Sequence, residues 1–237
     1  MKPLFKFFGF TANLLIVFLL MSCGTVPVPP VKVSPAEVVD VILVDPYAEI
    51  QLVEKKETLI YNDSLSNLSS QLIKEAILAH SNWIPVTDTM SINDEKTFDS
   101  YKTFMLNMSA TRSENRYAVP IPTALDSLIE STGHRFGMIV WATGYERSKK
   151  NYIVNEILSV VTALATAVIT MGTSYYYPMA YKGSLSLNVA IIDSRDDLVA
   201  YQNNLKVQDK KPTDYSLISK QVKNLFSSYY NPDFAMY

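Results

Sequence analysis

"VVDVILV", residues 38–44, is apolar at six of its seven positions and β-branched at five. A half-buried strand alternates greasy and polar side chains. A run this continuous reads instead as a strand buried on both faces, which is the centre of a layered α/β sheet. "FGMIVWATGY", 136–145, is a second run of the same kind and the second expected central strand.

Outward from these two runs, Asp45-Pro46 is expected to end the first strand. Asp63 or Ser64 can then cap a helix with Leu65, Leu68, Leu72, Ala76 and Ala79 on one face, leaving Ser66, Gln71, Lys74 and Glu75 towards solvent. Trp83–Val86 reads as a short strand. Asn93, Asp94 and Glu95 open a helix carrying Phe98, Tyr101, Met105 and Met108, the early acids suiting the positive end of the helix dipole. A short helix from Pro122 or Thr123 to Ser131 is stopped by Gly133.

Leu185, Leu187, Val189 and Ile191 alternate with Ser184, Ser186, Asn188 and Ala190, a period of two that marks a strand. "DSRDD", 193–197, turns the chain, and Leu198–Asn204 returns as the hairpin partner. Asp214–Ser228 closes the chain as a helix with Ile218, Val222 and Leu225 inward and Lys220 and Lys223 outward. The order of elements predicts one layered α/β domain, a mixed sheet packed by helices, with mixed α+β the neighbouring class.

One segment does not fit a surface helix. Ile157–Met171, "ILSVVTALATAVITM", has no charge for fifteen residues, within an apolar helix expected near 153–171. A helix that is apolar all round has to be buried somewhere. It can be a core helix, a helix against the membrane or a second subunit, or a membrane-inserted hairpin turning near Gly172. Fifteen residues fall short of the ~20 that span a bilayer, which favours a core or partner-facing helix. The tyrosine-rich "GTSYYYPMAYKG", 172–183, follows, and it either covers the end of the sheet or offers rings to a glycan, lipid or partner.

The amino terminus carries an address. Lys2 and Lys6 precede Phe7–Leu20, which has no charged residue, the layout of a secretory signal peptide over residues 1–22. Leu20-Met21-Ser22-Cys23 then resembles the lipobox of bacterial lipoproteins, with Met21 a departure from the commoner Ala or Ser. That resemblance implies a diacylglyceryl thioether on Cys23 plus an amide-linked acyl chain such as palmitate. Each buried methylene adds ~0.8 kcal/mol to attachment, so several chains hold where one alone is marginal. In such families an aspartate after the cysteine retains the protein in the inner membrane. Gly24 and Thr25 stand here, so the expected location is the periplasmic face of the outer membrane, ahead of the inner membrane or cell surface. Residues 23–36 form a tether with four prolines in 24–35, extended at ~3.1 Å per residue, and 37–237 form the periplasmic domain.

Cleavage before Cys23 removes two of 21 basic residues and leaves 23 acidic ones, a net charge of −4 over 215 residues. No basic stripe points to nucleic acid. Cys23 is the only cysteine, so with its sulfur acylated no disulfide forms within the chain.

Catalytic, cofactor and metal motifs are absent. There is no HExxH, Gly-x-Ser-x-Gly elbow, phosphate-cradling glycine loop or EF-hand spacing. His80 and His134 are far apart and read as capping or surface residues. Asp193, Asp196 and Asp197 match no calcium loop, and with Arg195 among them read as a solvated turn. Asp63-Ser64-Leu65, Asp88-Thr89-Met90 and Asp126-Ser127-Leu128 fit an Asp-(Ser/Thr)-apolar O-glycosylation signal of some periplasms, and equally fit helix starts. Carboxylates converging in space, as in a hydrolase, leave no sequence trace.

The layout resembles periplasmic lipoproteins whose α/β domain is shared by the curli-secretion lipoprotein and by Tol-type N-terminal domains. The carriers are "VVDVILV", the helix from Asp63, "GMIVWATGYE" at 137–146 and "LSLNVAIIDSRDDLVAY" at 185–201. The resemblance implies a non-enzymatic envelope component serving a transport or assembly system, with an envelope protein or a second copy as its partner. The alternative is a glycan- or lipid-binding lipoprotein using 172–183.

Overall fold

The computed structural model describes residues 33–54, 57–111, 117–169 and 181–230. In chain order the strands are β1 (Val41–Val44), β2 (Tyr47–Val53), β3 (Leu59–Tyr61), β4 (Val86–Met90), β5 (Phe136–Arg147), β6 (Gly183–Asp193) and β7 (Leu198–Gln208). The helices are α1 (Asp63–Ala79), α2 (Glu95–Ala110), α3 (Thr123–Glu130), α4 (Lys149–Ile169) and α5 (Tyr215–Tyr230), after a 3-10 turn at Pro35–Glu37. The predicted mixed α/β domain is what forms.

β5 is the spine of the sheet. Along one edge it pairs in parallel first with β1 (Val41↔Phe136) and then with β2 (Tyr47↔Trp141 to Val53↔Arg147). Along the other it pairs antiparallel with β6 from Phe136↔Asp193 to Glu146↔Gly183, and β7 lies beyond β6. β4 flanks β1 in parallel and β3 flanks β2 antiparallel. Asp45-Pro46 ends β1, as predicted, and β2 takes up the same edge of β5 two residues later. Pro46 has no N–H to give a ladder, Asp45 N donates to Met90 O (2.8 Å), and pairing with β5 resumes at Tyr47.

The central parts of both apolar runs, Val41–Val44 and residues 136–142, are buried on both faces, as predicted, but the first strand begins only at Val41 and Val39 is 65% exposed. Val41, Leu43, Met138 and Val140 pack towards Ile73 and Ile77 of α1 and Ile218, Val222 and Phe226 of α5. Ile42, Val44, Ile139 and Trp141 pack towards Tyr101, Phe104 and Met108 of α2 and Leu125 and Ile129 of α3. Each such side chain contributes ~1.5–3 kcal/mol of burial, so both layers are tied to the same two strands.

α2 follows its predicted face, capped by Asp94, whose Oδ1 accepts from Thr97 N (2.8 Å). α3 ends as predicted before Gly133, which takes φ +79°. α5 opens after Asp214, whose carboxylate accepts from Ser216 N (3.0 Å) and Leu217 N (3.3 Å). The hydroxyl and backbone bonds from Ser216 and Leu217 hold that carboxyl below its ordinary value.

Four expectations are corrected. The cap of α1 is Asn62, whose Oδ1 accepts from Leu65 N (3.0 Å), and not Asp63 or Ser64. Its buried face runs through Ser66, Ser69, Ile73, Ala76 and Ile77, while Leu68 is 44% exposed, because the layer beneath leaves room for small residues. Trp83 sits in a turn, its N–H spent on His80 O (3.1 Å), and the strand begins only at Val86. The 193–197 turn is not wholly solvated: Asp193 is 0% exposed and pairs with Arg135.

α4 overturns both the core helix and the two-stranded hairpin among the readings of 153–171. It is a helix from Lys149 to Ile169 with Ile153, Val154, Ile157, Leu158, Val160 and Val161 each 44–60% exposed. Among the described residues no helix or strand packs extensively against it, although Asn151 and Ser159 on its inner side are buried. No helix among the described residues is long and apolar enough to cross a membrane.

Candidate interaction surfaces

Two surfaces among the described residues stand out chemically. The first is a groove where α2 crosses the sheet. β2 and β5 supply Tyr47, Glu49, Trp141, Ala142 and Thr143 to its floor, and α2 supplies Lys102, Met105, Leu106 and Ser109 to its wall. Tyr47 stands edge-on to Phe98 (5.4 Å between centroids) and to Tyr101 (6.4 Å), which fixes its ring. Tyr101 is itself locked, its hydroxyl donating to Val140 O (2.8 Å) in the core. Burial raises the hydroxyl pKa of Tyr47, helped by nearby Tyr61 and Glu49, so the phenol stays a neutral donor.

The rim is apolar on one side and charged on the other. Leu106 is 70% exposed, the most exposed large apolar side chain in the described structure, and stands beside Met105. Lys102 bridges Asp99 (2.8 Å) and lies over the Phe98 ring at 4.8 Å. The groove holds about 140 Å³. Small-molecule sites run to ~300–1,000 Å³, so this one has room for one or two side chains of a docked protein.

The second surface is α4 and its root. Arg147 Nη1 donates to Glu57 Oε1 (2.6 Å) and Oε2 (2.7 Å) and to Asn151 Oδ1 (2.7 Å). Asn151 Nδ2 reaches back to Glu54 O (2.7 Å), and Asn155 Nδ2 donates to Glu57 Oε1 (2.8 Å). Glu57 holds φ +59°, a left-handed backbone that presents its carboxylate to all three donors. Beyond this clamp the hydroxyls turn inward on their own helix: Ser159 to Asn155 O (2.7 Å), Thr162 to Leu158 O (2.8 Å), Thr166 to Thr162 O (2.8 Å). The polar stripe of α4 is thus satisfied within the helix while its apolar stripe faces out, the reverse of an ordinary surface helix.

The residues singled out by sequence fall as follows. Cys23 and its flanks, and the tyrosines of 172–180, lie outside the described residues. His80 is the C-cap residue of α1, with its Nε2 3.2 Å from Ser219 Oγ. His134 sits between Thr132 and Thr87. Of the three Asp-(Ser/Thr)-apolar triplets, Ser64 is exposed in the first turn of α1, Ser127 is exposed in the second half of α3, and Thr89 pairs with Leu43 within the sheet. No group of three or more His, Cys, Asp or Glu among the described residues could hold a metal. The two carboxylates of a shallow recess on α2, Glu95 and Asp99, are exposed to water, not buried as a general acid requires. The groove was not legible in advance, because β2 was not; the odd Tyr47 after Pro46 was its only trace.

No protein-family model matches the chain, and no curated protein matches it in sequence. Its backbone is similar to solved structures. One is a PelC dodecamer from Paraburkholderia phytofirmans (TM-score 0.36, 7% identity, 84% of this chain and 90% of that one). Another is lipoprotein GNA1162 from Neisseria meningitidis (0.34, 11%, 80% and 96%). A third is the LpoB C-terminal domain from Salmonella enterica (0.30, 9%, 74% and 85%). Identities this low leave function to be argued from this chain's own residues.

Proposed function

We propose that this protein is a lipid-anchored envelope component, akin to the curli-secretion and Tol-type lipoproteins, that works through protein contacts as a non-enzymatic accessory or assembly factor for transport or secretion. In this reading residues 1–22 are removed, Cys23 is acylated at the periplasmic face of the outer membrane, and 24–36 tether the domain. The observation that carries it is the α2 groove. A cleft of about 140 Å³ with Leu106 proud of its rim fits an anchoring side chain of a partner far better than a free ligand.

The experiment is a photo-crosslinking residue placed at Leu106 in intact cells. A single adduct of defined mass, with an envelope protein or a second copy, is expected, and it is lost on Tyr47→Ala. A clean monomer at every irradiation time would end the proposal. Mass spectrometry of the mature protein tests the anchor separately, with Cys23 expected as the acylated first residue.

A further inference from the structure

The long axis of the sheet is electrically polar. At the end where β5 begins and β6 stops lie Glu37, Asp40, Asp126, Glu130, Asp193, Asp196 and Asp197, against Arg135 and Arg195. Crowding there is real: burial and the nearby Asp197 and Glu130 hold the Asp126 carboxyl above its ordinary value. At the opposite end lie Arg147, Lys149, Lys150, Lys182, Lys206, Lys210 and Lys211, against Glu54, Glu57, Glu146, Asp209 and Asp214. A chain that is acidic overall thus gathers its positive charge at one end, and α4 projects from that end.

Three features coincide on α4. Its outward stripe is aliphatic over Ile153, Val154, Ile157, Leu158, Val160 and Val161. Its hydroxyls are bonded within the helix, so no polar group on the turns from Ser159 to Thr166 requires water. Lys149 and Lys150 at its start, and Lys182 over the Tyr152 ring at 5.4 Å, ring its base with ammonium groups. In sequence the uncharged run extends from Ile157 to Tyr181, twenty-five residues between Glu156 of α4 and Lys182.

We infer that α4 binds a lipid surface bearing anionic headgroups: its aliphatic stripe lies in the acyl boundary and the lysines at its root meet the phosphates. The charge favours a bilayer as the occupant. Two copies packed in parallel through α4 would bring Lys149, Lys150 and Lys182 of each root together, whereas an anionic bilayer neutralises them. A stripe of this kind lies ~5–10 Å deep in the plane of the interface and does not span it. Each lysine near an anionic surface strengthens binding about fivefold. This contact is independent of Cys23 and of the α2 groove.

The test uses the full-length protein in phosphatidylethanolamine–phosphatidylglycerol vesicles with brominated acyl chains, which quench tryptophan only at membrane depth. Ile157→Trp is expected to be quenched at least twofold beyond the background of Trp83 and Trp141, while Leu106→Trp on α2 is not. Replacing phosphatidylglycerol by phosphatidylcholine, or Lys149 and Lys150 by glutamine, weakens the effect. Equal quenching at both positions, none at 157, or indifference to the headgroup and the lysines would each overturn the inference. So would a stable oligomer in vesicle-free solution that Val154→Asp dissolves, since the stripe would then belong to a second copy. A failure here leaves the Leu106 cross-link untouched.

Discussion

Arg135 closes on the fully buried Asp193 with two parallel bonds, Nε to Oδ1 at 2.9 Å and Nη2 to Oδ2 at 2.5 Å. Arg195 N adds a third donor to Oδ1 (3.2 Å), and Arg135 O accepts from Ser194 Oγ (2.9 Å). The clamp sets where β6 ends and the hairpin to β7 begins. Its two members are not equivalent. Arg135→Met strands a carboxylate in the core and should lower Tm by roughly 10 °C, whereas Asp193→Asn, which frees an arginine already near water, should lower it by less than half as much. Thermal denaturation of the two variants checks the order.

Ser66 lies on the buried face of α1, 2% exposed, and its Oγ accepts from Ile50 N (2.9 Å). Ser66→Ala leaves that N–H without its acceptor and should cost about 1–3 kcal/mol in urea denaturation. Exposed Ser64→Ala should change stability by less than about 0.5 kcal/mol.

A methyl group on Gly137 would stand 2.4 Å from Ile129 Cδ1 and 2.6 Å from Cγ1. Gly137→Ala should destabilise by about 1–3 kcal/mol, and adding Ile129→Val should recover part of the loss. At Gly144 the same methyl would meet Ser184 O at 2.2 Å, so Gly144→Ala has no side-chain rescue. Urea midpoints of the single and double variants separate the two cases.

The α4 root should respond to acid. The Arg147 hydrogen bonds first, and the amides of Asn151 and Asn155 after them, hold the Glu57 carboxyl below its ordinary 4.5. A depressed carboxylate stabilises the folded clamp fully above the unfolded value and stops doing so as pH falls through the lower folded value. Protection factors of the α4 amides, corrected for the intrinsic pH dependence of exchange, should therefore fall as pH drops through the lowered Glu57 value, relative to pH 6. In Glu57→Gln the protection should be low at both pH values, and an unchanged wild-type protection factor across that range would contradict the clamp.

Burial was legible where residue type and burial agree. The two apolar runs, the α2 face from Tyr101 to Met108 and the alternation of 185–191 each have a period that only one packing satisfies. β2 was hidden because "YAEIQLV" carries Glu49 and Gln51 on a face left open below α2, and because Pro46 looks like a stop. Ser66 was placed towards water because its type says so, whereas a strand N–H across the layer needs a buried acceptor. The apolar run of α4 announced itself, but the burial rule pointed it inwards. Sequence reports that such a stripe wants cover without saying whether the cover is this chain. Asp193 reads as part of a solvated turn because its ion-pair partner, Arg135, is 58 residues distant in sequence.

The unbroken length of β5 has a consequence for synthesis. β1 and β2 emerge early, yet their shared neighbour is complete only at Arg147, and its far edge waits for Gly183 onward. Any truncation ahead of β5 leaves β1 with at most β4, and β2 with at most the three-residue β3, to pair against. The two apolar ribbons therefore gain their common neighbour only after about ninety further residues have been made, and the sheet closes late in synthesis.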